Sequence, residues 1–509
     1  MLGLRVWLLM AVTVMVAGSI HGKTRAAEGK TKKPRKNVLF ITIDDLNNDL
    51  GCYGDGLVKS PNIDALAKKG VTFDKAYCQY PVCNPSRSSF MTGLYPDQTG
   101  VLSNKDNFRD KNPNVTTLPQ LFREHGYFVA RVGKIYHYGV PTQIGTSGED
   151  DPASWDQVVN PRGIDREVHE KIHTLQEGKF GGTLSWLNIE SDDLEHTDGI
   201  GATEAIKLME THDPKKTGQP FFLAVGFYRP HTPYVAPSNY FEMYPRNAIE
   251  PVMEKPGDRD DIPEAALPDR PKQRELTKEQ RQEIIQAYYA SVTYMDAQVG
   301  RLLAALKRLD LEKNTIVVFV SDHGYHLGQH GLWQKSDLFE GSARVPLIIT
   351  DPNGKSGGET TEAITELVDL YPTLADLCRL PKPKHLKGRS LAPILEDPSQ
   401  PGKEAALTVT VSRGIRVKGP QGKRERVMGY SIRTPRYRYT EWGNGKNGRE
   451  LYDYLSDPDE FTNLAEDPEH ATTVEQMESL LKSAKKRAGA TPVSENALNE
   501  LGGRPQLEG

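Results

Sequence analysis

Four apolar, β-rich runs each end in polar or charged residues, and this repeat constrains the fold more than any other feature of the chain. Asn37-Val38-Leu39-Phe40-Ile41-Thr42-Ile43 runs straight into Asp44-Asp45. Residues 128–132 end in Gly133-Lys134, residues 221–226 lead to Arg229-Pro230-His231, and residues 315–320 end in Ser321-Asp322-His323-Gly324. A strand that is apolar on both faces needs cover on both faces, which a sheet between helical layers supplies. Helical stretches lie between the runs: one over residues 61–69, stopped by Gly70, and a long amphipathic one over residues 280–309. The pattern reads as an α/β fold whose site lies beyond the carboxyl ends of the strands.

With 509 residues the chain can bury a large core and form more than one domain. Residues 347–350, entered through Pro346, add a short strand, and residues 380–388, rich in Pro and Lys, read as a connection. Beyond about residue 400 the pattern changes: residues 406–411 and 428–442 alternate like antiparallel strands, Glu450-Leu451-Tyr452-Asp453 follows, and a helix over 474–487 closes the unit. The expected division is a catalytic domain over 37–395, a smaller C-terminal α+β unit over 396–488 and a flexible tail over 489–509.

Arg5, the apolar stretch over residues 6–17 and the small residues near Ala26-Ala27 read as a secretory signal over 1–27, followed by a basic leader over 28–36. The apolar run is short for a membrane span, so none is expected and the predicted location is periplasmic or extracellular. An uncleaved N-terminal anchor is the alternative. Net charge is −4, with no basic block through the body, so nothing supports nucleic-acid binding. Four cysteines, none in a Cys-x-x-Cys pair, are too few for a disulfide scaffold.

Asp44, Asp45, Asp322 and His323 end two central strands. Buried neighbouring carboxylates repel unless they are paired, protonated or metal-bound. Taken alone, either acidic pair suits turn capping. Two pairs in one chain, together with the cysteine run described next, point to a hard cation, Ca²⁺ or Mg²⁺. His323 has three open roles: ligand to the metal, support for a ligand, or contact with substrate.

The run Cys83-Asn84-Pro85-Ser86-Arg87-Ser88-Ser89-Phe90-Met91-Thr92-Gly93 carries the most specific signal. Pro85 suits the first turn of a helix and Gly93 its end. Cys83 then sits at a helix N-terminus, where free N–H groups favour an anion, and Arg87 lies one turn on. Lys134 and His137 follow Gly133. His231 sits between Pro230 and Pro233, which stiffen its loop, and Lys335 follows Asp322 by a short Gly- and His-rich loop. Histidine can act as acid or base near neutrality. Read singly, each of these side chains also suits an ordinary surface or structural role.

The cysteine run resembles the maturation signature of type I sulfatases. The order of all these segments resembles the sulfatase branch of the alkaline-phosphatase-like superfamily, over about residues 37–467. Leu50-Gly51-Cys52-Tyr53-Gly54-Asp55, Pro61-Asn62-Ile63-Asp64, residues 220–231 and 288–303, and Met428-Gly429-Tyr430-Ser431-Ile432-Arg433-Thr434 are most similar to the iduronate-2-sulfatase group and its bacterial relatives. The resemblance implies a large mixed sheet flanked by helices with a smaller C-terminal subdomain. It implies that Cys83 is oxidised to formylglycine by a formylglycine-generating or anaerobic sulfatase-maturing enzyme. The hydrated aldehyde would attack sulfur with one hydroxyl and expel sulfate with the other. It further implies one calcium ion held by Asp44, Asp45, Asp322, His323 and modified Cys83. Arg87 and Lys134 would hold the diol, His137 would help deprotonate the remaining hydroxyl and release sulfate, His231 would protonate the leaving oxygen, and Lys335 would stabilise charge there. Asn84 departs from the small residue usual after the cysteine.

These readings lead to a sulfatase acting on sulfated carbohydrate, with a 2-O-sulfated uronic acid as the substrate the resemblance implies. Two alternatives stay open: a formylglycine-dependent phosphonate monoester or phosphodiester hydrolase, and an unoxidised protein that only binds sulfated glycan. Specificity is expected from residues 138–203 and the C-terminal unit. Trp155, Arg162 and Trp186 are candidates for a sugar pocket, with core packing or surface placement as the alternative.

Overall fold

A computed structural model describes residues 35–268, 270–413, 415–416, 424–490 and 498, so the secretory signal, most of the leader and most of the tail lie outside it. The main sheet contains β1 (Asn37–Ile43), β2 (Val71–Phe73), β3 (Phe128–Gly133), β4 (Gln157–Val159), β5 (Phe221–Phe227), β6 (Thr315–Ser321), β7 (Leu347–Thr350) and β8 (Thr360–Thr361). Their order across the sheet is β8-β2-β7-β6-β1-β5-β3-β4. β6, β1, β5, β3 and β4 run parallel, whereas β7 is antiparallel to both β6 and β2, so the sheet is mixed. In β1, Leu39, Ile41 and Ile43 enter one core and Val38 and Phe40 the other. That period-2 split is why the run is apolar at nearly every position.

On the first face pack α2 (Thr197–Thr211) and α3 (Lys278–Arg308), through Ala202, Ala205, Tyr288, Val292 and Val299. On the second pack α1 (Cys83–Thr92) and α4 (Leu370–Leu377), through Phe90, Met91, Leu370 and Leu374. Helix α3 begins two residues before the expected 280. Thr277 Oγ1 accepts from the Gln280 N–H at 3.3 Å while Gln280 Oε1 accepts from the Thr277 N–H at 2.9 Å, a reciprocal cap that fixes the start. Gly93 closes α1 with φ 70°, a left-handed conformation that glycine adopts without penalty.

The C-terminal sheet is antiparallel, in the order β9 (Ala406–Val411), β10 (Met428–Arg433), β11 (Tyr437–Trp442) and β12 (Arg449–Asp453). The alternating stretch over 428–442 is thus two strands. They are joined where Thr434 Oγ1 accepts from the Tyr437 N–H at 2.8 Å. Helix α5 (Ala471–Ala488) covers this sheet with Val474, Leu481, Ala484 and Ala488. Two kinds of tie hold the sheet to the segment before α1. The Val409 N–H donates to the Gln79 carbonyl at 2.9 Å, and Thr408 Oγ1 donates to the Cys78 carbonyl at 2.7 Å. Elsewhere the sheet is tied by charge: buried Arg438 on β11 pairs with Glu460 at 2.7 Å and also with Glu340, which precedes β7.

Glycine sets the closest approach in the main sheet. A Cβ on Gly226 would lie 1.9 Å from the Lys134 carbonyl oxygen, and one on Gly133, at φ 73°, would lie 2.2 Å from the Gly226 oxygen. The chain leaving β3 therefore lies directly against β5, and only bare backbone permits it.

Two outcomes test this packing. Arg438→Met strands buried carboxylate and should cost about 3–5 kcal/mol in urea unfolding. Gly226→Ala should cost about 1–3 kcal/mol by overpacking and should also lower turnover, because Lys134 must move. Wild-type stability and turnover in the glycine variant would refute the close approach.

Candidate active site

Parallel strands deliver their ends to one edge of the sheet. Asp44 and Asp45 follow β1, Lys134 and His137 follow β3, His231 follows β5, and Asp322 and His323 follow β6. Asp45 takes φ 66°, a left-handed turn that aspartate tolerates better than most residues. Cys83 opens α1 on the second face and Arg87 lies one turn on. Lys335 returns from a hairpin in which His326-Leu327 pairs with Trp333-Gln334. Gln334 and Ser336, at φ 69° and 91°, turn the backbone on either side of it.

Cys83 is fully buried, with Sγ 3.1 Å from Lys335 Nζ and 3.4 Å from His323 Nε2. Burial pushes its thiol well above the usual range; Asp44 and Asp322 add to this, and Lys134 and Lys335 oppose it. Lys335 also pairs with Asp45 Oδ1, and Lys134 Nζ donates to Asp44 Oδ2 at 2.6 Å. Burial disfavours the Lys335 ammonium, but Asp45, Cys83, Asp44 and Asp322 outweigh it and hold its pKa well above normal.

Arg87 Nε donates to Asp322 Oδ2 at 2.8 Å, and Nη1 donates to the Lys134 and Ile135 carbonyls at 2.7 and 3.1 Å. Nη2 lies 3.5 Å from Asp44 Oδ1. The guanidinium thus fixes two carboxylates and the backbone that carries Lys134.

Two imidazoles are held in one tautomer. His323 Nδ1 donates to the Gly324 carbonyl at 2.9 Å, and His231 Nδ1 donates to the Thr232 carbonyl at 2.5 Å. Each leaves a bare Nε2 toward the acidic group: His323 Nε2 lies 3.3 Å from Asp45 Oδ1, and His231 Nε2 lies 3.9 Å from Asp45 Oδ2. A fixed N–H on one ring nitrogen is how a ligating or basic imidazole is oriented. Burial lowers the pKa of His231 and His137 well below that of free histidine and that of His323 to about 4. His137 is almost buried, and its Nδ1 has no hydrogen-bond partner.

The donor set fits a divalent cation. One ligand atom from each of Asp44, Cys83, Asp322 and His323 lies within 4.8 Å of the others, and the same holds for Asp44, Asp45, Cys83 and His231. Asp45 Oδ2 is buried without a hydrogen-bond partner among the described residues. Burial lifts the Asp45 pKa to about 7; Lys335 opposes this, and Asp44 and Asp322 add to it. A hard cation supplies the partner that this crowded carboxylate lacks.

Sequence reasoning missed the supports. Tyr288, on α3, accepts from the Asn47 N–H at 3.0 Å and donates to the Asp45 carbonyl at 2.9 Å, which pins the acidic turn. Ser86 Oγ donates to the Asp322 carbonyl at 2.5 Å. Tyr288 belongs to a segment marked by resemblance, but nothing local announces its partner. Trp155 and Trp186 are core residues, and Arg162 is exposed and paired with Glu167, so all three take the packing or surface placement held as their alternative. A cavity of about 430 Å³ bordered by Asn48, Glu254, Asp258, His326 and His330 includes none of the predicted catalytic or metal-binding side chains in its lining.

Residues 36–380 match the sulfatase family model, and residues 328–487 match the N-sulphoglucosamine sulphohydrolase C-terminal model. The chain is 33% identical to iduronate 2-sulfatase of Mus musculus, over 91% of this chain and 97% of that protein. It is 31% identical to a sulfatase of Formosa agariphila, over 94% and 91%. Among solved structures, phosphonate monoester hydrolase of Agrobacterium radiobacter aligns with TM-score 0.72 at 24% identity, covering 89% of this chain and 96% of that one. A protein solved with its substrate D-glucosamine-2-N,6-O-disulfate aligns with TM-score 0.69 at 22% identity, covering 89% and 98%. With the family match, these structural likenesses show the alkaline-phosphatase-like fold that the resemblance implied. By the extent of the family match and the identity to its relatives, the chain belongs to the sulfatase family and is a sulfuric ester hydrolase.

Proposed function

We propose that this protein removes sulfate from sulfated carbohydrates, acts on 2-O-sulfated uronic acid, and uses a formylglycine made from Cys83. The observation that carries the reading is the setting of position 83: the first residue of a buried helix, between Lys335 and His323 and beside three carboxylates. A buried thiol held in its protonated form is a weak nucleophile, so conversion of the side chain is what makes the position useful. Once hydrated, the aldehyde supplies two hydroxyls on one carbon, one to attack sulfur and one to release sulfate. The substrate assignment rests on the identity to iduronate 2-sulfatase along nearly the whole chain.

The chain's own residues divide the remaining work. Asp44, Asp45, Asp322 and His323 would hold Ca²⁺, which draws charge from the sulfate oxygens when bound. Arg87 keeps Asp322 and the Lys134 backbone in place. Lys134 and Lys335 place two ammonium groups at the same pocket, a fixed field for spreading negative charge. Neutral His137 is poised to accept a proton. Neutral His231 gains basicity as an anionic ester arrives, because a nearby negative charge favours imidazolium, and it then donates to the departing sugar oxygen. A secretory signal would send the protein to the periplasm or beyond, where sulfated polymers are met.

Two measurements test this. Mass spectrometry of the peptide containing position 83 should find aldehyde in place of thiol, and Cys83→Ala should lower turnover by on the order of 10⁴-fold or more while the protein stays folded. Fully active protein carrying an intact thiol would refute the nucleophile. Dialysis against a chelator should abolish turnover and lower the melting temperature, with Ca²⁺ restoring both; indifference of both to chelation would refute the metal site.

A further inference from the structure

Among the described residues, two arginines near the site have no carboxylate partner. Ser412 and Val427 close the base of the hairpin between β9 and β10: the Ser412 N–H donates to the Val427 carbonyl at 2.8 Å, and the Val427 N–H donates to Ser412 Oγ at 3.0 Å. Arg413 and Arg426 are the next residues outward on the two arms. Arg413 Nη2 donates to Ser336 Oγ at 2.9 Å, and Ser336 directly follows Lys335, whose Nζ lies 3.1 Å from Cys83 Sγ. On the other side, the Val411 N–H donates to the Tyr80 hydroxyl at 3.1 Å, three residues before α1 opens. The arginine pair therefore sits between the Lys335 turn and the N-terminal approach to the nucleophile helix.

Both side chains are half-buried, and among the described residues neither has a carboxylate partner. Burial lowers the pKa of Arg426, and the neighbouring Arg413 lowers it further. Four other interior arginines are neutralised, Arg87 by Asp322, Arg131 by Asp150, Arg229 by Asp165 and Arg438 by Glu460, whereas buried Arg281 is held by the Leu276, Val252 and Arg274 carbonyls. Two like charges held together by a hairpin base, one of them bonded to the residue after Lys335, call for an anion from outside the chain.

We propose that Arg413 and Arg426 form a second anion subsite, which takes a carboxylate or a further sulfate on the substrate while the sulfate to be cleaved sits at Cys83. This rests on the sulfated-carbohydrate reading above and adds to it the two side chains that would hold the substrate's second anionic group. Guanidinium forks suit both oxyanions, so the two sources share one chemistry.

Binding can be read without turnover by calorimetry in a Cys83→Ala background. Three ligands are compared: a disaccharide with one sulfate and no other charge, the same disaccharide with a uronic carboxylate, and the same disaccharide with a second sulfate. The protein should favour one or both doubly charged ligands. Arg413→Gln or Arg426→Gln should cut that preference, as a ratio of affinities, by about tenfold to a hundredfold. Arg413→Lys should keep a larger share of it, and raised salt should shrink it in the unsubstituted pair. The doubly charged ligand that loses preference identifies the source of the anion. Equal affinity for all three ligands, or a preference that survives both glutamine variants, would overturn the subsite. Absence of sulfatase turnover in mature, metal-loaded protein would instead overturn the parent reading, and the two failures are separable.

Discussion

The crowding of Asp44, Asp45 and Asp322 at one edge of the sheet is the constraint on which the site depends. Three carboxylates buried together repel, and the protein answers with Arg87, Lys134 and Lys335, each bonded to at least one of them. The pairing is incomplete, since Asp45 keeps one buried oxygen without a hydrogen bond among the described residues. Buried charge is costly unless geometry and hydrogen bonds are nearly complete, so the deficit marks where a cation belongs. It also explains why the basic groups reach across from three different elements rather than from one.

The fold serves this edge in a simple way. β5, β1 and β6 are parallel neighbours, so their polar ends arrive side by side. Helices on both faces remove water from the strands but leave the edge to polar side chains. Gly133 and Gly226 then let the Lys134 segment lie against β5, closer than any side chain would allow. Tyr288 reaches from α3 to hold the turn at Asp45. Packing on one face thus sets the geometry of charge at the end of the sheet.

Much of this was legible in sequence because it is local. Apolar runs ending in Asp44-Asp45 and Asp322-His323 announce strands and their polar ends. Pro85 and Gly93 announce the short helix that Cys83 opens. What stayed hidden is contact between distant segments. The motif places Arg87 one turn after Cys83, but nothing in it announces the bonds to Asp322 and to the Lys134 carbonyl. Nothing near Tyr288 points to Asp45, and nothing near Arg438 points to Glu340 and Glu460. Strands as short as Val71–Phe73 and Gln157–Val159 carry too few residues for a period to show. The start of α3 is local after all, because Thr277 and Gln280 have the spacing of a reciprocal cap.

Burial of position 83 has a consequence for biogenesis. The side chain has no solvent exposure, and its backbone is wound into the first turn of a helix beneath Lys335 and His323. No second enzyme can reach that sulfur in the finished molecule. If the thiol is converted, conversion must precede closure of the polypeptide around it, so oxidation and chain collapse compete in time.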